Sequence, residues 1–148
     1  MTDATVYEHT QRSYVWIMVG ALILVVVAIP LALGEAFDVA GFVFVVMFLA
    51  VVVAIVGAFS SLTTTVTASE VTTRFRWGWP RKKIQRPNIL SHAPARNRWF
   101  YGWGIRWIPN GMLWNVWGLD AVELTLAGGR RFRIGTDDPN GLDAALSR

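Results

Sequence analysis

The chain of 148 residues carries 14 Lys and Arg against 10 Asp and Glu, for a formal net charge of +4, and it has no cysteine. The missing thiols exclude disulfides, thiolate metal centres and a cysteine nucleophile. Charge and aromatics are unevenly placed: from Ser61 on stand thirteen of the fourteen cations, six of the acids and seven of the eight tryptophans. A basic, aromatic domain of net charge about +7 therefore follows an apolar N-terminal part, and such a domain suits anionic headgroups or an acidic protein surface.

Residues 1–13 read as a polar segment ahead of the membrane. Two apolar runs follow, Tyr14 to Leu33 and Val39 to Phe59, neither containing a charge. Each approaches the ~20 residues that a helix needs to cross ~30 Å of hydrocarbon. The expected boundaries are a first transmembrane helix over 14–34, an external loop over 35–38 and a second helix over 39–60. Ala32-Leu33-Gly34 offers small residues for signal cleavage. The first run is longer than a ~7–15-residue signal core, however, and its flank carries Asp3 and Glu8 against Arg12 alone, so a retained helix is expected. The loop has only Glu35 and Asp38, whereas Arg74, Arg76, Arg81, Lys82 and Lys83 follow the second run. The positive-inside rule then places both termini in the cytoplasm and the loop outside, in a multi-pass membrane protein. Ala28 and Ala32, and Ala50, Ala54 and Ala58, recur at helix spacing and allow close packing; Pro30 is a kink site. Neither run holds a charged side chain or a histidine, so the helices alone are expected to build no transport path, proton relay or haem ligation.

The domain over 61–148 reads as β. Thr63–Thr67 is β-branched throughout, Val71–Trp77 alternates apolar and polar, and Arg81–Gln85 resumes after Gly78-Trp79-Pro80. Arg86–Arg98 has weak periodicity and reads as a long connection. Gly104–Ile108 and Met112–Trp117 flank Asn110-Gly111, a hairpin signal; Ala121–Leu126 and Arg130–Ile134 flank Gly128-Gly129, a second one. Asp138, Pro139 and the apolar Leu142, Ala145 and Leu146 mark a capped C-terminal helix.

Three segments resemble the bacterial pleckstrin-homology-like domain family: the opening strands ending in Arg81-Lys82-Lys83-Ile84 and followed by Ile89, Tyr101–Arg106 before the Asn-Gly hairpin, and Gly129–Pro139 running into the last helix. The resemblance spans about Leu62 to Leu146. It implies a membrane α-hairpin plus a β-rich PH-like domain, with six or seven antiparallel strands in a partly open barrel plugged by one C-terminal helix. Members are commonly fused to membrane hairpins, and some resemble assembly factors of bacterial photosynthetic complexes. The family implies a fold and no catalytic residues.

Between Val71 and Leu119 stand nine Lys or Arg and no acid, interleaved with aromatics. Arg74, Arg76, Trp77, Trp79, Arg81, Lys82, Lys83, Arg86, Arg98 and Trp99 are therefore the candidate lipid-headgroup or partner-binding residues. The alternative use of a strand Trp is to fill the core. Nucleic-acid binding shares the basic, aromatic signature, but no such module is recognisable. His92 is the one histidine of the 61–148 domain and reads as a surface residue; Asp137-Asp138 reads as a helix cap rather than a carboxylate pair. No serine has a nucleophile-elbow context, and no glycine pattern fits a phosphate loop. The expectation is a protein without catalytic, metal or cofactor sites and without a small-molecule substrate. It is expected to serve a larger membrane protein complex as accessory or assembly subunit, or alternatively to bind anionic membrane lipids.

Overall fold

A computed structural model describes residues 4–32 and 38–148, with the side chains of 29–32 outside the description. The end of the expected first helix at 33–34, residues 35–37 of the expected 35–38 loop, and the side chains of Pro30 and Ala32 fall outside the described residues. The order is β1 (Thr5–Arg12), α1 (Val15–Ala32), α2 (Val39–Ala58), β2 (Ser61–Thr67), β3 (Glu70–Phe75), β4 (Arg81–Gln85), β5 (Ile89–Arg96), β6 (Gly104–Ile108), β7 (Gly111–Asn115), β8 (Asp120–Leu126), β9 (Arg131–Gly135) and α3 (Pro139–Leu146). Single 3₁₀ turns lie at Arg86–Asn88 and Trp99–Tyr101.

The strands form two sheets, β1-β2-β3-β4 and β5-β8-β9-β7-β6. All pairs are antiparallel except β7 and β9, which run parallel. The expectation of six or seven antiparallel strands in a partly open barrel is thus revised: the described residues form nine strands in two separate sheets, one of them mixed, with no closed barrel among them. Two strands account for the difference. Thr5–Arg12, expected as a flanking segment, pairs with β2 and enlarges the domain beyond 61–148. Ile89–Arg96, expected as a connection, is the edge strand beside β8. An edge strand tolerates Pro94 because one side of its backbone needs no ladder partner.

Alternation in β2 and β3 turns Leu62, Val66, Val71 and Phe75 inward. They meet Trp114, Val122, Leu124, Phe132 and Ile134 of the second sheet, with Leu142, Ala145 and Leu146 of α3 completing one core. Asp138 caps α3 as expected, accepting from the Gly141 amide at 3.0 Å and from the Tyr7 hydroxyl at 3.1 Å. Burial and the Asp138 carboxylate push the Tyr7 phenol well above its ordinary pKa. Parallel pairing of β7 and β9 requires Gly111: a Cβ there would overlap the Arg131 carbonyl of β9.

Val39–Ala58 is long and apolar enough to cross a membrane, and no residue of it is buried within the protein. Asp38 caps it, accepting from the Gly41 amide at 2.9 Å. In α1 the apolar stretch with described side chains is the shorter Val15–Ala28.

Candidate membrane-interface site

The two helices grow out of adjacent strands. β1 runs into α1 and α2 runs into β2, while β1 and β2 pair in register up to Arg12 and Ser61. One further hydrogen bond closes the ladder at the foot of the helices: the Ser13 amide donates to the Ser60 carbonyl at 2.7 Å. The start of α1 and the end of α2 therefore lie side by side. Hydroxyls finish both helix ends. Ser13 Oγ accepts from the Val15 amide at 3.1 Å, and Ser60 Oγ donates to the Gly57 carbonyl at 2.8 Å. Ser60 Oγ also accepts from Arg76 Nη1 at 3.0 Å, which sets a guanidinium at the C-terminal end of α2, where the helix dipole favours a cation. Trp77 lies against α2, its Cζ2 3.6 Å from where a Cβ on Gly57 would stand.

A second loop approaches the helix foot from the other sheet. Tyr14 meets Trp117 edge to face at 6.0 Å, and Trp117 stacks on Trp103 at 5.0 Å. A cavity of about 450 Å³ separates Ser13, Val15, Ile55 and Phe59 from Trp103, Ile105 and Arg106. Gly102, at φ 68°, lets the chain leave the Trp99–Tyr101 turn in a conformation that an L side chain strains to adopt. Beside it, a recess of about 450 Å³ is lined by Asn97, Arg98, Trp99, Trp103 and Trp117. Asn97 is buried; its Oδ1 accepts from Arg133 Nη1 at 3.3 Å, and its Nδ2 has no partner among the described residues.

The ten candidate residues divide by position. Arg76, Trp77 and Trp79 form the loop at the foot of α2, the two indoles 63% and 77% exposed. Arg74 and Arg81 stand opposite one another on the outer face of β3–β4, next to that loop. Arg98 and the 81%-exposed Trp99 belong to the second loop, with Arg98 5.8 Å over Phe100. The other three make contacts within the domain. Lys82 shares the inward face of β4 with Ile84, its Nζ 4.4 Å over the Phe132 ring, and burial lowers its pKa. Lys83 pairs with Glu70 at 2.8 Å. Arg86 donates to the Leu146 carbonyl at 2.7 Å and so holds the end of α3. Ser60 and Arg106 belong at the helix foot but were not in the candidate set: a serine after an apolar run carries no signal by itself, and Arg106 is one basic residue in an alternating strand.

The remaining titratable groups hold elements together. His9 of β1 pairs with Asp137, and His92 of β5 pairs with Asp143 at 2.7 Å, so each outer strand is tied to α3 or its approach. His9 is thus a second histidine in the domain. Glu123 joins Arg133 and Arg131 across β8 and β9. Among the described residues no group of three or more His, Asp or Glu gathers as a metal site would require. Comparison with known family models, curated proteins and solved structures finds no match.

Proposed function

We propose that this chain is an accessory or assembly subunit of a larger complex in the bacterial inner membrane. A two-helix hairpin anchors it, and the β domain docks through its Trp/Arg loops without chemistry of its own. The observation that carries this reading is the Ser13–Ser60 closure of the β1–β2 ladder at the helix foot. It supports a multi-pass arrangement: if α2 crosses a bilayer, paired strands at the outer ends of α1 and α2 require the chain to return to the side it left. The Lys and Arg of the domain favour the cytoplasm for that side and for both termini. A continuous stem of this kind presents the loops at 76–79 and 97–103 at a constant height above the bilayer. Exposed Trp and Arg are the side chains that most often anchor protein interfaces. Two packed sheets with a helix across the core support a PH-like identity for the domain, while the parallel β7–β9 pair departs from the expected pattern.

The test is purification of the full chain from its native membrane in mild detergent. A membrane complex at stoichiometric yield, lost on Trp99→Ala with Arg98→Ala, is the expected result. Recovery of the isolated chain alone overturns the docking reading.

A further inference from the structure

The docking loops leave one feature of the helix pair unused. A groove of about 720 Å³ runs between α1 and α2. Its volume falls within the ~300–1,000 Å³ of small-molecule sites. Gly20 and Ile23 of α1 and Ala50, Ala54 and Gly57 of α2 line it, and Trp16, Ser60, Arg76 and Trp77 close its foot. From Trp16 to Ile23 the wall extends ~10 Å along the helix axis. The wall is apolar over that length, and its hydrogen-bonding groups are confined to the foot.

That gradient matches an amphiphile. The Arg76 guanidinium is positioned by Ser60 Oγ, and no carboxylate of the described residues lies within 4 Å of it. Arg74 and Arg81 lie on the same strand pair, and no acid occurs between Val71 and Leu119, so the local potential is positive. Trp16 and Trp77 supply the amphipathic rings that favour the boundary between hydrocarbon and headgroups. Basic pockets beside membrane helices on the cytoplasmic side take phosphate headgroups.

We propose that this groove holds one anionic phospholipid, with an acyl chain between α1 and α2 and its phosphate on the Arg76 guanidinium. The inference rests on the membrane placement of the two helices; it shares Arg76 and Trp77 with the 76–79 loop and makes no use of the 97–103 loop. A zwitterionic lipid offers the same phosphate without net charge, so the surrounding cations select phosphatidylglycerol over phosphatidylcholine.

The experiment is native mass spectrometry of the full chain released from micelles containing equimolar phosphatidylglycerol and phosphatidylcholine. The expected result is one retained phosphatidylglycerol, preferred about fivefold, the factor that one nearby basic residue contributes toward a net negative headgroup. Arg76→Ala lowers retention about tenfold, since one charge-assisted contact contributes about that factor, and Arg76→Lys keeps most of it. Ala54→Leu fills the groove and lowers retention with Arg76 in place, which separates the site from any folding defect of Arg76→Ala. Arg130→Ala, in the turn between β8 and β9, leaves retention unchanged. Equal retention by the wild type, Arg76→Ala and Ala54→Leu overturns the site. So does an Ala54→Leu variant that keeps its lipid but loses a co-purifying membrane protein, which makes the groove a seat for a partner helix. Release of the chain from membranes by alkaline carbonate refutes the membrane placement itself. A carbonate-resistant chain without lipid preference refutes the lipid site alone.

Discussion

Phe75 is the hinge between the helix pair and the core. It is 1% exposed and meets Phe59, the residue that ends α2, edge-on at 4.8 Å, and Trp114 of the second sheet at 5.3 Å. Phe75→Ala removes a fully buried ring and leaves a cavity, a change that costs ~3–5 kcal/mol. A fold stabilised by ~0.05–0.15 kcal/mol per residue loses a large share of its stability to that one change. At ~2–4 °C per kcal/mol for a chain of this size, the melting temperature falls by roughly 10 °C. Phe75→Leu keeps most of the apolar volume and costs ~1–2 kcal/mol, partly through the lost aromatic pairs. The informative quantity is the coupling between Phe75 and Phe59. An edge-to-face pair contributes ~0.5–1.5 kcal/mol beyond area, so a double-mutant cycle using Leu at both positions should return ~1 kcal/mol. Denaturant unfolding of the full chain in detergent, followed by Trp fluorescence, measures all four corners. Additivity within ~0.3 kcal/mol would mean that the end of α2 is not packed on the sheet. The argument for a stem of constant height would then fail.

Three further outcomes are expected. Gly111→Ala drives a Cβ into the Arg131 carbonyl of β9 and should cost ~1–3 kcal/mol or more by forcing the parallel pair apart, read as a lower unfolding midpoint; a neutral result contradicts the β7–β9 register. Asp138→Ala removes the α3 cap and the Tyr7 acceptor and should cost ~2 kcal/mol, with Asp138→Asn recovering the cap and Tyr7→Phe costing ~1 kcal/mol; unfolding midpoints of the three variants measure this. Glu70 has its pKa lowered chiefly by the hydrogen bond from Lys83. Its contribution is therefore present above the ordinary value of 4.5 and fades as pH falls through the lower folded value. The gap in melting temperature between wild type and Glu70→Gln should close on acidification below 4.5, and a gap independent of pH contradicts the pairing.

The elements legible in the sequence are those whose signal is local. Asn110-Gly111 and Gly128-Gly129 mark the β6–β7 and β8–β9 turns because few residues accept positive φ, and Asp138-Pro139 marks α3 because a cap needs a side-chain acceptor before the first turn. β1 and β5 escaped because only Gln11 is buried in β1 and no residue is in β5, so neither shows an apolar period of two. The candidate site was partly legible. Clustering of Trp and Arg pointed to Arg76, Trp77, Trp79, Arg98 and Trp99, but composition does not distinguish them from Lys82, whose stem turns inward with Ile84, or from Arg86, which holds α3.

The sequence by itself determined that an uncharged run, Val39–Phe59, forms a helix suited to hydrocarbon, that the rest is β-rich and basic, and that the chain closes on a capped helix. Each of these follows from residue chemistry at short range. Tertiary structure decided that Thr5–Arg12 completes the first sheet across the helix pair, that β7 lies parallel to β9, and that Arg76 sits at the foot of the α1–α2 groove. These depend on pairing between segments far apart in the chain. Such pairing is settled by which edges and faces remain to be covered once the local elements exist, and no short stretch of sequence carries that information.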